Sequence, residues 1–114
     1  MTRKTVNALC KAFPGAEVSD PWGGGHDVWK VGGKMFAAIG AMGDGVSIKT
    51  DSIETAEMLI EMGVGAKAAY LHRSWLSLPL DMPKAELRER LAASYRIVRA
   101  GLPKKVQAGL KPLD

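Results

Sequence analysis

Glycine punctuation constrains this chain more than any other feature. Over residues 16–49, short β-forming runs alternate with Gly23-Gly24-Gly25, with Gly32-Gly33, and with a stretch bounded by Gly40 and Gly45. Strands this short, broken this tightly, pair with their sequence neighbours and build an antiparallel meander. Gly32-Gly33 is the sharpest break, since two residues that tolerate positive φ between Val31 and Lys34 read as a two-residue hairpin turn. Such a turn sets Val31 opposite Lys34 and Trp29 opposite Phe36, an aromatic pair across the ladder. It also sends Lys30 and Lys34 to opposite faces of the sheet. The spacing predicts strands near 17–20, 27–31, 34–39 and 46–49, with Gly23-Gly24-Gly25 as a flexible loop between the first two.

Helical periodicity flanks the meander. Val6, Leu9, Cys10 and Phe13 recur at i, i+3, i+4 and i+7, with Thr2 or Thr5 to cap the start and Pro14-Gly15 to end it. After the meander, Asp51-Ser52-Ile53-Glu54 opens a second helix. Asp51 is placed to accept an early backbone N–H, and Ile53, Ala56, Leu59 and Ile60 form the buried stripe up to Gly63. Residues 75–78 read as a fifth strand. A terminal helix begins near Pro83 and carries Leu87, Leu91, Tyr95, Val98 and Leu102 on one stripe. Gly101 and Pro103 end it, and a short basic turn or helix follows. A chain of 114 residues supports one core and not two. The expectation is a single α+β domain over residues 1–114: an antiparallel sheet of about five strands, covered on one face by the N-terminal and C-terminal helices.

Several function classes lose their support. The longest uncharged apolar stretch, residues 35–43, is too short to span a bilayer. The opening MTRKTVNALCKAF has polar interruptions and no small-residue cleavage site, so no signal peptide is expected. One cysteine makes no internal disulfide, and Cys10 lies on a buried stripe, which fits a reducing, cytoplasmic setting. Gly32-Gly33-Lys34-Met35 lacks the spacing and the Ser or Thr of a phosphate loop, and residues 40–45 precede a strand where a dinucleotide fingerprint precedes a helix. His26 and His72 have no ligand spacing around them, so no metal is expected. Ser74 lies near His72 without an elbow motif or an orienting carboxylate. No enzyme and no cofactor is expected.

Charge is unevenly spread. Residues 1–81 hold eight basic and nine acidic groups, a net of −1, whereas residues 82–114 hold eight basic against three acidic, a net of +5. Concentrated positive charge attracts polyanions through counterion release. Residues 67–75 form the least ordinary segment, with Tyr70, His72, Arg73 and Trp75 just ahead of an apolar strand. These side chains stack on bases and bind phosphates. They equally serve as core anchors (Tyr70, Trp75) and turn caps (His72, Arg73).

The chain resembles the MmcQ/YjbR family of small bacterial proteins. Residues 28–37, VWKVGGKMFA, look like the family's "vfKVggKmFal" hairpin. Val46-Ser47-Ile48-Lys49 with Asp51 matches its "vslK" strand and helix cap, and Tyr70, His72, Arg73 and Trp75 resemble "gyhlnkrhW". Ser94-Tyr95 with Leu102-Pro103-Lys104-Lys105 matches "SY…LpKK". Two departures stand out: Ala69 precedes Tyr70 where the family has Gly, and its basic run is reduced to His72-Arg73-Ser74. The resemblance implies a frataxin-like (CyaY-like) fold and a double-wing DNA-binding motif. It makes Lys30, Lys34, Lys49, His72 and Arg73 candidates for phosphate contacts, beside the stacking candidates Tyr70 and Trp75. The implied partner is double-stranded DNA, bound weakly and with salt dependence by a monomer or weak homodimer. The alternative is a protein- or small-ligand-binding adaptor using residues 70–75. A frataxin-type iron chaperone is disfavoured, because the first helix contains Arg3, Lys4 and Lys11 but no carboxylate to ligate a cation.

Overall fold

In a computed structural model, which describes residues 2–113, Gly32 and Gly33 adopt φ of 56° and 81° and set Val31 opposite Lys34. The hairpin forms as its spacing requires. Around it run α1 (Arg3–Lys11), β1 (Glu17–Ser19), β2 (Asp27–Val31), β3 (Lys34–Ile39) and β4 (Gly45–Lys49). They are followed by α2 (Ile53–Glu61), β5 (Ala66–Lys67), β6 (Trp75–Pro79), α3 (Lys84–Ala100) and α4 (Lys104–Ala108). The strands form one antiparallel sheet in the order β1-β2-β3-β4-β6-β5. It has six strands where about five were expected, because the two-residue β5 is too short to leave a periodic signal.

The Trp29–Phe36 pair does not form. A register shift between Trp29 and Lys30 sets Trp29 opposite Ala37 and Lys30 opposite Met35, leaving Phe36 as an extra residue. This bulge turns both Phe36 and Ala37 into the core, where each is fully buried. Phe36 meets Phe13 and Tyr95 edge-on, at centroid distances of 5.8 and 5.4 Å, while Phe13 and Tyr95 stack at 5.1 Å. Aromatic packing against the helices has replaced the cross-strand pair. The Phe36 carbonyl is then satisfied from α3: the Ser94 hydroxyl donates to it at 2.6 Å and accepts from the Lys49 N–H at 2.8 Å.

One core cluster joins Val6, Cys10 and Phe13, Leu59 of α2, and Leu87, Leu91, Tyr95 and Val98 of α3 to a single sheet face. That face carries Trp29, Val31, Ile39, Val46, Ile48, Leu76 and Leu78. Burial pushes the Cys10 thiol up to about 12, so it packs as a small apolar side chain. Helix α2 is capped by Ser52 and not by Asp51, its hydroxyl accepting the Thr55 N–H at 3.0 Å. Its buried stripe is narrower than the periodicity implied, since Ala56 and Leu59 are inside but Ile60 is exposed. Pro83 takes the N-cap position of α3. The basic C-terminal segment is helical as α4 and lies against the hairpin: a Cβ on Gly32 would meet Leu102 at 2.7 Å and Val106 at 3.2 Å. Among the described residues no helix is long and apolar enough to cross a membrane.

Candidate nucleic-acid interface

Strand alternation decides what the uncovered face presents. With the bulge accounted for, that face carries Val28, itself buried, and the half-buried Lys30 of β2 and Met35 and Ala38 of β3. Ser47 and Lys49 of β4 and Trp75 and Ser77 of β6 complete it. Lys30 and Lys49 are separated by β3, a gap of about 10 Å at two strand spacings. On these four inner strands the face bears two lysines and no carboxylate, and Glu17 of the edge strand stands opposite Lys30.

The expected site residues fall into separate groups. Lys49 Nζ lies 6.0 Å over the Trp75 ring and 3.4 Å from Ser74 Oγ, while Trp75 is buried beneath it. His72 Nδ1 contacts Ser74 Oγ at 2.8 Å and accepts the Ser74 N–H at 3.1 Å, and Thr50 holds the Ser74 carbonyl through its own N–H and hydroxyl. Residues 72–75 are therefore a tight turn around a buried serine. Arg73 leaves this group: it pairs with Glu57 of α2 at 2.6 Å, both side chains being largely exposed. Lys34 is exposed at the hairpin, on the same side of the sheet as its buried partner Val31. Lys30, Lys49 and Trp75 thus share the open face with His72 beside them, and Lys34 and Arg73 lie off it.

Tyr70 is fully solvent-exposed and adopts φ of 66°, among the described residues the one non-glycine with positive φ. It lines a groove of about 530 Å³ over β3 and β4, together with Trp22, His26, Ala38, Gly40 and Ser47. Trp22 was not singled out from the sequence and His26 was weighed only as a metal ligand, although an indole and an imidazole bracketing three glycines is a visible pattern. The intervening glycines read as a flexible loop, yet the loop is tied down. Asp20 accepts the N–H groups of Gly25 and His26 at 2.9 and 3.2 Å, and Trp22 meets His26 edge-on at 5.3 Å.

The same border is fastened from α1. Arg3 donates to Asp27 at 2.7 Å and to the carbonyls of Gly25 and Gly40, and Asn7 bridges Asp27 (2.9 Å) and the Trp29 indole N–H (2.8 Å). The Asn7 amide, aided by Arg3 and opposed by burial, holds the Asp27 carboxyl below the usual carboxylate range. Among the described residues no three His, Cys, Asp or Glu side chains gather where they could hold a metal ion.

A family model described as YjbR matches residues 11–97. Among solved structures, protein DR2400 of Deinococcus radiodurans, with a DUF419 domain, superposes with a TM-score of 0.79 at 23% identity. That match covers 94% of this chain and 86% of DR2400, and it shows a shared fold. No curated protein matches the chain.

Proposed function

The chain belongs to the YjbR family, and from that premise we propose that it is a non-catalytic DNA-binding protein that meets the phosphate backbone with the open face of its sheet. The observation that carries this reading is the pairing of Lys30 and Lys49 on a face whose four inner strands present no carboxylate. Lys49 is held in place by Trp75 and Ser74, which limits the conformational entropy lost on contact. Ser47, two residues from Lys49 on β4, and Ser77, opposite Ser47 on β6, supply hydroxyls on the same face. Lys34 and Arg73, off this face, are secondary in this reading, and Arg73 is already paired with Glu57.

Backbone contact by a few cations predicts a log–log salt slope of about −2 to −4, so affinity drops roughly 16- to 250-fold between 50 and 200 mM salt. Titration of a labelled duplex at those two concentrations measures it. Lys30→Ala and Lys49→Ala should each reduce the slope by about 1, uniformly across sequences. A duplex that does not bind at low salt, or binds equally at both concentrations, removes the proposal.

A further inference from the structure

We propose that the groove over β3 and β4 is a clamp for a single unpaired nucleobase, with Trp22 and Tyr70 as its two walls. This rests on the DNA-binding reading and names the part of the ligand that reading leaves out. The topology brings the walls from opposite ends of the sheet: Trp22 from the β1–β2 loop and Tyr70 from the β5–β6 loop, with β3 and β4 between them. The floor is made of small residues, Ala38, Gly40 and Ser47, which leaves room above the sheet for a flat ring. A volume of about 530 Å³ lies within the range of small-ligand sites.

Neither wall is buried in the core, and Trp22 meets only His26 edge-on among the aromatic rings. Trp22 is 58% exposed and Tyr70 wholly so, although large aromatic side chains ordinarily bury most of their surface. Tyr70 also occupies left-handed backbone space that disfavours a residue with a Cβ, and no burial of its ring offsets that cost. The loop opposite is pre-ordered by Asp20, and His26 Nδ1 is held by the Gly23 carbonyl at 3.1 Å, leaving Nε2 as the available ring nitrogen. Charge identifies the occupant. The groove lining carries no carboxylate, lysine or arginine, whereas Lys30 and Lys49 flank it on the same face. Such a site fits a ligand with a neutral aromatic part inside and anionic groups outside, which describes an unstacked base on its phosphodiester chain.

The test compares three probes at low salt: a ten-residue oligothymidylate, an abasic strand of the same length, and a blunt duplex. The oligothymidylate should bind about tenfold more tightly than the abasic strand and quench the tryptophan emission, a quench that Trp22→Ala removes. Trp22→Ala and Tyr70→Gly should each lose about that tenfold on the oligothymidylate alone. Tyr70→Gly should melt no lower than the parent, because glycine accepts the left-handed φ, so its loss of binding is not unfolding. Equal affinity for base-bearing and abasic strands, or variants that bind oligothymidylate like the parent, overturns the clamp. If all three probes bind with the same salt slope and no preference, the clamp falls while backbone binding stands. If oligothymidylate alone binds, without salt dependence, the clamp stands and backbone binding falls. No binding by any probe removes both.

Discussion

Asp27 fastens β2 to α1 through one carboxylate. The Trp29 indole donates to Asn7, Asn7 donates to Asp27, and Arg3 closes the chain from the other side while reaching the carbonyls of Gly25 and Gly40. These donors hold the carboxyl below its ordinary range, so its ionised form is favoured by folding. The stabilisation is complete above the unfolded-state value of about 3.9 and is lost as pH falls through the lower folded-state value. Asp27→Asn should therefore cost about 1–2 kcal/mol at neutral pH. It should also flatten the decline in stability below about pH 4, as read by urea unfolding from pH 2 to 7. None of these partners was legible in the sequence, because Arg3, Asn7 and Asp27 are 20 or more positions apart across the contact. Cys10 was legible, since its place on an apolar stripe already implied an unreactive, buried thiol.

The β2–β3 hairpin shows where element-level reasoning succeeds and where it stops. Its turn and the Val31–Lys34 pair follow from two glycines, but the bulge does not, because an extra residue in β3 is favoured only once Phe36 has Phe13 and Tyr95 to pack against. Opening the β3–β4 ladder at that point leaves the Lys49 N–H and the Phe36 carbonyl for Ser94, which is fully buried. Ser94→Ala would strand both groups in the core. Its expected cost is about 2–4 kcal/mol, seen as a lower urea midpoint with an unchanged m-value. Similar local competition explains α2, where Ser52 and not Asp51 takes the cap, and where Ile60 stays exposed while the helix buries Ala56 and Leu59 and half-buries Ile53. The residues of 72–75 divided for the same reason: successive positions of a turn point apart, sending Arg73 to Glu57 and His72 to Ser74.

Across the whole molecule, the +5 of residues 82–114 resides largely on α3 and α4, the helix side, while the open sheet face draws its two lysines from a near-neutral body. Charge density and candidate interface are therefore on different layers. Lys104→Ser with Lys105→Ser should leave the duplex salt slope unchanged within error, whereas each open-face lysine contributes about 1. The reverse result in the same titration would move the interface to the helix layer. The sequence by itself determined the antiparallel meander, the hairpin turn, the helices around it and the α+β class, because hydrophobic period and glycine conformational freedom are local properties. Only the tertiary structure decided the bulge, the sixth strand and the sorting of lysines between faces. It alone brought Trp22 and Tyr70 to one groove from loops nearly fifty residues apart. Those outcomes depend on which distant surfaces meet and which backbone groups each contact leaves to be satisfied.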